Sequence, residues 1–129
     1  DGPAGLPGEL SLYSAIASEG IIVTTPEAAC IRGAERTARC LEEEGTKRLR
    51  LLVNRIRPNL IRHGLASNID DAMDQSGLPL LGIVPEDEDI IACSNSGKSL
   101  LHLKKTGAAL ACRNIARRLE GEWLPLAHW

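Results

Sequence analysis

Four short segments of the chain place polar residues beside apolar runs, where the side chains could bind a metal ion or a nucleotide base. They are "DGPAG" (1–5), "TTPE" (24–27), "VNRIRP" (53–58) and "VPEDE" (84–88). An aspartate before glycines, such as Asp1, suits the coordination shell of Mg²⁺, because hard cations take carboxylate oxygens directly or through water. An asparagine such as Asn54 offers a donor and an acceptor to a base edge. Asp87, two residues after Pro85, adds a carboxylate acceptor beside a rigid wall.

Each of these residues also has a purely structural interpretation. Asp1 is the first residue of the chain, Asn54 is a turn former, and the acidic run 86–89 suits the first turn of a helix, where carboxylates complement the helix dipole. Taken singly, each structural interpretation is favoured. Three of these segments, however, lie at the ends of predicted strands, and "DGPAG" has the pattern of an exit from one. Ligands of open parallel sheets bind at the carboxyl ends of the strands. Together the four segments predict a binding site at that edge.

A Gly97-Lys98-Ser99 triplet matches the end of a phosphate-binding P-loop, whose full pattern is G-x-x-x-x-G-K-[ST]. The first glycine of that pattern is replaced by Ala92. A P-loop follows a buried strand, whereas the segment 86–94 has the acidic first turn of a short helix. The sequence therefore favours a solvated loop at this triplet over a phosphate site.

The elements that must position these residues are predicted from hydrophobic periodicity. Three apolar runs, at 20–25, 47–54 and 78–85, are predicted strands. Helices are predicted at 9–18, 26–45, 67–77, 86–94 and 106–121, with Thr25 or Ser67/Asn68 as N-caps and Gly45 and Gly77 as ends. Strands alternating with helices of this length predict βαβ units and a parallel sheet.

The sheet predicted in this way is narrow. The run 20–25 has the continuous apolar pattern of a strand buried on both faces. Three parallel strands alone leave at least one apolar edge uncovered. The sequence therefore predicts that these residues form part of a larger domain.

Composition narrows the classes of protein. The chain has 129 residues, 43% hydrophobic and 25% charged, with a net charge of −2, which argues against nucleic acid as a partner. No apolar run approaches the roughly 18 residues of a membrane span. Four cysteines without C-x-x-C spacing predict free, buried thiols in a reducing cytosol. They are Cys30, Cys40, Cys93 and Cys112.

Six segments, taken in order, resemble a known family. They are "DGPAG", "IIVTTPE", "LLVNRIRP", "LLGIVPEDEDII", "SNSG" and "RNIARRLEGEWLPL". This series is similar to the carboxyl-terminal half of the MinD ATPases, the septum site-determining members of the ParA/MinD (deviant Walker A) group. The resemblance covers 1–126 and leaves 127–129 as a tail. It implies an α/β fold, a parallel sheet with flanking helices that is part of a three-layer α/β/α P-loop NTPase domain. The amino-terminal half, with the phosphate loop K-G-G-x-G-K-T, is absent from the sequence.

The resemblance also implies roles for residues at the start of the chain. Asp1 matches the Walker B aspartate, a catalytic residue that supports Mg²⁺ through water. Gly2, Pro3, Ala4 and Gly5 match switch II, whose backbone senses the γ-phosphate of the nucleotide.

Other positions match the base side and the protein interfaces of the family. Asn54 and Arg55 match the nucleotide-binding "NR" motif. Pro85 and Asp87 match the P-x-D element beside the adenine, and Glu27 matches a position near the dimer interface. Arg32 lies on the helix face through which the family meets its partners.

The function implied by the resemblance is hydrolysis of ATP with Mg²⁺, coupled to homodimerisation and to placement of the division septum. The implied partners are MinC-like and MinE-like division proteins, and the implied location is the cytoplasm or the inner face of the cell membrane. Without the phosphate loop, the chain alone is expected to be inactive and to bind nucleotide weakly.

Two departures from the family pattern support an alternative, a non-catalytic MinD-like interaction module. Gly33 stands where the family usually has an aspartate on its partner-binding face, so loss of that charge affects both the MinC-like and the MinE-like interaction. The amphipathic membrane-targeting helix of the family is not evident, since only "LAHW" follows Pro125.

Overall fold

The computed structural model of the chain describes residues 10–60, 66–103 and 107–126. In this part of the chain three strands form a sheet: β1 (Glu19–Thr24), β2 (Arg48–Ile56) and β3 (Leu80–Pro85). Their order is β1-β2-β3, and both pairs of neighbours are parallel. The three predicted strands and their parallel arrangement are confirmed.

Helices precede, separate and follow the strands. They are α1 (Leu10–Ile16), α2 (Ala28–Glu43), α3 (Pro58–Leu60), α4 (Ala66–Ser76), α5 (Glu88–Ser96), α6 (Leu100–Leu103) and α7 (Gly107–Leu119). The helices α2 and α4 pack on one side of the sheet, here called the α2–α4 face, and α7 packs on the other, the α7 face. The result is a three-layer α/β/α arrangement, as predicted.

The α2–α4 face contains the larger part of the core. Leu51 and Val53, on the central strand, are fully buried there. Ala34 and Ala38 point from α2 towards the sheet and are buried too. Small side chains on the helix let its backbone approach the strands, so the larger aliphatic side chains of β2 fill the space between the layers.

On the α7 face, close packing depends on a glycine. A Cβ atom at Gly82 would lie 2.5 Å from Cγ1 of Ile115. The missing side chain therefore lets α7 lie directly on β3. The cluster formed there is smaller and includes Leu81, Val84, Ala108, Ala111 and Ile115.

The strand β1 is buried on one face only, so the prediction of burial on both faces was wrong. Ile22 is 6% exposed, whereas its neighbours Ile21 and Val23 are 43% and 60% exposed. An α-helix with its side chains is about 10 Å wide and strands lie about 4.8 Å apart, so one helix covers about two strands. Because α7 packs on β3, it leaves the same face of β1 uncovered.

Several helix boundaries differ from those predicted. The residue before α2 is Glu27, which has an extended backbone and makes no side-chain capping bond, so the prediction of Thr25 as N-cap was wrong. Ser67 and Asn68 lie within α4 rather than before it, so neither is its cap. Gly45 and Gly77 do follow their helices, with φ of 97° and 65°.

The Gly-Lys-Ser triplet begins where a helix ends, which confirms the interpretation against a P-loop. The helix α5 ends at Ser96, and Gly97 follows in the left-handed conformation with φ of 67°. The backbone N–H of Lys98 donates to the carbonyl oxygen of Cys93 at 3.0 Å, which closes the last turn. A P-loop instead joins a strand to a helix and directs backbone N–H groups at phosphates.

All four cysteines are free. Cys93 is buried, but Cys30 and Cys112 are exposed, so the prediction of buried thiols was wrong for these two. Within the described segments, none of the helices has both the length and the apolar character needed to span a membrane.

Candidate functional site

The parallel register brings the carboxyl ends of the three strands to one edge of the sheet, here called the carboxyl edge. Thr24 at the end of β1 is opposite Val53, and Ile56 at the end of β2 is opposite Pro85. Four of the predicted site residues, namely Asn54, Arg55, Pro85 and Asp87, lie along this edge, and Glu27 follows β1 beside them. The predicted residues Asp1, Gly2, Pro3, Ala4 and Gly5 lie outside the described residues.

Asn54 and Arg55 form an irregularity in β2 at this edge. The pairing of β2 with β3 shifts between Val53 and Ile56, which is the mark of a bulge. Arg55 has φ of 58°, the left-handed conformation that side chains other than glycine rarely adopt. The side-chain oxygen of Asn54 accepts a hydrogen bond from the Arg55 backbone N–H at 2.9 Å and so supports the turn. Such bulges often lie beside active sites, where they redirect side chains.

Glu86, which follows β3, contacts Arg55 in this bulge and the two residues after it. Its Oε2 accepts a hydrogen bond from Nε of Arg57 at 2.7 Å, and its Oε1 lies 3.5 Å from Nη2 of Arg55. Its backbone N–H donates to the carbonyl oxygen of Ile56 at 2.7 Å and continues the ladder beyond the bulge. The Arg57 hydrogen bond is the main reason that the pKa of Glu86 lies below the ordinary glutamate value.

Glu27 faces the same two arginines from the other side. Its pKa is also lowered, first by a hydrogen bond from Thr25 and further by the charges of Arg55 and Arg57. Two carboxylates therefore flank two guanidinium groups at the carboxyl edge. Neither Arg57 nor Glu86 was singled out from the sequence, because their pairing joins positions 29 residues apart.

Asp87 joins the starts of two helices. Its Oδ1 accepts from the backbone N–H of Asp89 at 3.0 Å and caps α5. Its Oδ2 accepts from the backbone N–H of Ala108 at 3.1 Å, in the first turn of α7. Gly107 permits this approach, since a Cβ there would lie 2.6 Å from the same oxygen. Asp87 is therefore the N-cap of α5 rather than a residue of its first turn as predicted, which still favours a structural interpretation. Pro85 beside it is buried at the end of β3.

Arg32 lies on α2 rather than at the carboxyl edge. Its side chain is exposed, on the side of the helix away from Ile31 and Ala34, which are buried. Gly33 beside it has open space, because nothing lies within 4 Å of the position of a Cβ atom. This face of α2 is therefore accessible, but it lacks the acidic side chain expected at position 33.

The opposite, amino-terminal edge of the sheet contains a cleft of about 550 Å³ with basic walls. Arg48 and Arg50 lie there but pair with Glu19 at 2.6 and 3.5 Å. Arg118 donates to the carbonyl oxygens of Leu81 and Leu124 at 2.9 Å. Helices α2, α4 and α7 also end at this edge, and cations complement helix carboxyl termini. The basic character of the cleft is thus explained by contacts within the chain.

The predicted ligand of Mg²⁺, Asp1, is not among the described residues. In the part of the chain that is described, His, Cys, Asp and Glu side chains form no group of three that could hold a metal ion. Among the predicted site residues that the structure describes, Asn54, Arg55, Pro85 and Asp87 are thus brought together at the carboxyl edge.

Parallel strands between two helical layers, with polar loops at the carboxyl edge, place the chain among the open-sheet α/β proteins, whose ligands bind at that edge. Comparison with known proteins assigns the chain more narrowly. It is 40% identical over 126 residues to the septum site-determining protein MinD of Synechocystis sp., which covers 97% of the chain and 47% of that protein. It is 41% identical over 127 residues to MinD of Bacillus subtilis, covering 98% and 47%. The chain is a homologue of the MinD septum site-determining proteins and spans about half the length of these curated relatives.

Solved structures agree with this assignment. MinD in a MinC:MinD cell division protein complex of Aquifex aeolicus has a TM-score of 0.91 at 30% identity, covering 98% of the chain and 52% of the matched chain. MinD of Pyrococcus horikoshii complexed with Mg-ADP has a TM-score of 0.75 at 26% identity, covering 93% and 48%. No family model matches the chain.

Proposed function

We propose that this chain supplies the base side of the nucleotide site in a MinD-type ATPase, which binds and hydrolyses ATP to regulate placement of the division septum. The observation that carries the proposal is the bulge at Asn54 and Arg55, which lies at the carboxyl edge beside Pro85 in a MinD-like fold. The complex of a similar protein with Mg-ADP supports the choice of an adenine nucleotide.

In this proposal each residue at the edge has a simple task. The amide of Asn54 offers hydrogen bonds to the base edge, and Pro85 limits the pocket as a rigid wall. Asp87 fixes the loop by joining α5 to α7. Mg²⁺, held through water by Asp1, would neutralise charge on the phosphates when bound. Positioning and charge neutralisation do most of the catalytic work in phosphoryl transfer, where water attacks the γ-phosphate in line.

The chain by itself is then expected to bind nucleotide weakly and to hydrolyse none. Its sequence contains no G-x-x-x-x-G-K-[ST] motif. In such sites backbone N–H groups and a lysine of that loop hold the phosphates, so most of the binding energy is missing.

The test is a titration of the ¹⁵N-labelled chain with ADP and with GDP, followed by NMR. We expect larger shifts at the amides of Asn54 and Arg55 with ADP than with GDP, and loss of this difference in Asn54→Ala. Asn95→Ala, at an exposed position in α5, is the matched control and should leave the difference unchanged. Equal or absent shifts with the two nucleotides would refute the base-side assignment.

We further propose that the intact protein forms a homodimer on binding ATP, with Glu27 near the interface, and that it meets a MinC-like or MinE-like protein through the face of α2 that carries Arg32. The MinC:MinD complex of a similar protein supports a MinC-like partner. The proposed location is the cytoplasm or the inner face of the cell membrane. An Arg32→Ala change should weaken capture of MinC more than Arg117→Ala, at an exposed position on α7, and equal capture of MinC by the two variants would count against this face.

A second candidate function is a non-catalytic interaction module that kept the MinD-like fold. Both carboxylate oxygens of Asp87 accept bonds from the chain's own backbone, which favours a structural role for this residue. A module of this kind would be monodisperse, unfold cooperatively and show no preference between ADP and GDP. The nucleotide titration and a sedimentation experiment together separate the two candidates.

A further inference from the structure

The bulge in β2 has a backbone conformation that needs support. Arg55 adopts φ of 58° although it carries a full side chain. The hydrogen bond from its N–H to Asn54 is local and stabilises the turn from one side. Residues held in such conformations persist when the surrounding structure also constrains them.

Glu86 supplies constraint from the neighbouring strand. Its backbone N–H bonds to Ile56, immediately after the bulge, and its carboxylate contacts the arginines on both sides of that residue. One residue of the β3–α5 loop therefore contacts three consecutive residues at the end of β2 and just after it, all within three residues of Asn54. The contact from Arg57 Nε to Oε2, at 2.7 Å, has the length of a good charge-assisted hydrogen bond.

Two carboxylates, those of Glu27 and Glu86, act on the two arginines at the bulge. Glu27, on the β1–α2 side, acts on the same two guanidinium groups through its charge, but Glu86 is the carboxylate in direct contact with both. If Glu86 were neutral, Arg55 and Arg57 would lose the negative charge that attracts them on the β3 side, while Glu27 still attracted them from the β1 side. The side chains at the bulge would then turn towards β1.

We propose that Glu86 is a positioning residue, which holds the Asn54–Arg55 bulge in the conformation that directs the Asn54 amide at a nucleotide base. The identity of the ligand in this inference rests on the proposed function. The effect of Glu86 on the conformation of the bulge does not. Glu86 thus has a role between its two neighbours, Pro85 as the rigid wall and Asp87 as the helix cap.

The first experiment needs no nucleotide. In the ¹⁵N,¹³C-labelled chain, the Cα and Cβ shifts of Arg55 and its HN–Hα coupling report its backbone conformation. We expect Glu86→Gln to move these values away from those of a left-handed residue. Glu88→Gln, in the first turn of α5, removes the same charge two residues away and is the matched control. Glu86→Asp keeps the negative charge beside Arg55 and Arg57, and we expect its values to stay closer to those of the wild type than the values of Glu86→Gln.

Two results would overturn the proposal: unchanged Arg55 values in Glu86→Gln, or an equal change in Glu88→Gln. If the ion pair only stabilised the fold, its loss in Glu86→Gln would lower the midpoint of urea unfolding without altering the Arg55 values. Both the midpoint and the Arg55 values are therefore measured for each variant.

Titration with ADP and GDP then separates this inference from the proposed function. If the wild-type chain distinguishes the nucleotides, we expect the difference to fall several-fold in Glu86→Gln and to be largely retained in Glu86→Asp. If the wild-type chain does not distinguish them while Arg55 still responds to Glu86→Gln alone, the nucleotide proposal fails and the control of the bulge by Glu86 is supported.

Discussion

The two faces of the sheet are built from similar residues but are covered to different extents. On the α2–α4 face, two helices cover all three strands, and Leu51 and Val53 are completely buried. On the α7 face, one helix lies over β3, and Ile21 and Val23 of β1 remain exposed. The comparison shows that burial of an apolar strand residue depends on the elements available to cover it, not on the strand's own pattern.

The sharpest test of this comparison uses two neighbouring isoleucines of β1. Ile22→Ala should lower the free energy of unfolding by about 2–5 kcal/mol, because it opens a cavity in the buried cluster. Ile21→Ala, on the other face of the same strand, should cost less than half as much because Ile21 is already partly in water. Urea denaturation measures both. Equal losses would mean that another element covers Ile21 in solution.

Glycine-to-alanine changes test how closely each layer lies on the sheet. Gly82→Ala should destabilise the protein by about 1–3 kcal/mol, since its Cβ would meet Ile115 and force α7 outward. Gly33→Ala places the same methyl group in open space on α2, and should stabilise the helix by about 0.5–1 kcal/mol. Thermal unfolding should therefore shift in opposite directions, and a shared direction would contradict the packing described for α7.

The link between α7 and the carboxyl edge is tested at Asp87. Asp87→Ala removes the cap of α5 and the acceptor for the Ala108 N–H, and we expect a loss of about 0.5–2 kcal/mol. Asp74→Ala, at an exposed position in α4, is the control and should change stability by less than about 0.5 kcal/mol. Faster hydrogen exchange in the first turn of α7, seen only in Asp87→Ala, would identify the bond to Ala108 as the cause.

The smallest effect concerns pH and the exposed charges at the carboxyl edge. The pKa of Glu86 is lowered in the folded protein, mainly by its bond to Arg57. The contribution of Glu86 to folding stability is therefore present at pH values above the ordinary glutamate pKa. It is lost as the pH falls through the lowered pKa of the folded protein. An NMR titration of the Glu86 carboxyl carbon should show this pKa rise towards the ordinary value in Arg57→Gln. An unchanged pKa would mean that Arg57 does not pair with Glu86 in solution.

Local sequence patterns predicted the elements well because each apolar run is long enough to be recognised by itself. The runs placed Asn54 and Asp87 at one edge of the sheet, although β2 continues to Ile56, two residues beyond the predicted end. The exposure of Ile21 could not be predicted, because it depends on how far α7 extends across the sheet. The partners of Glu86 and Asp87 are 29 and 21 residues away, so no local pattern identifies them. The start of α2 was predicted at residue 26, because Thr25 has the residue type of a cap, whereas the helix begins at Ala28 after Glu27.

The parallel pairing of the strands has a consequence for how the chain folds. Contacts between β1 and β2, such as Glu19 with Arg48, and between the ends of β2 and β3, such as Arg57 with Glu86, each join residues 29 positions apart. No described strand pair can therefore form as a hairpin, and the chain must close long loops before any ladder forms. During that interval the edge of β1 and its exposed apolar side chains are open to other molecules. We expect the yield of refolded protein to fall as the protein concentration during refolding rises.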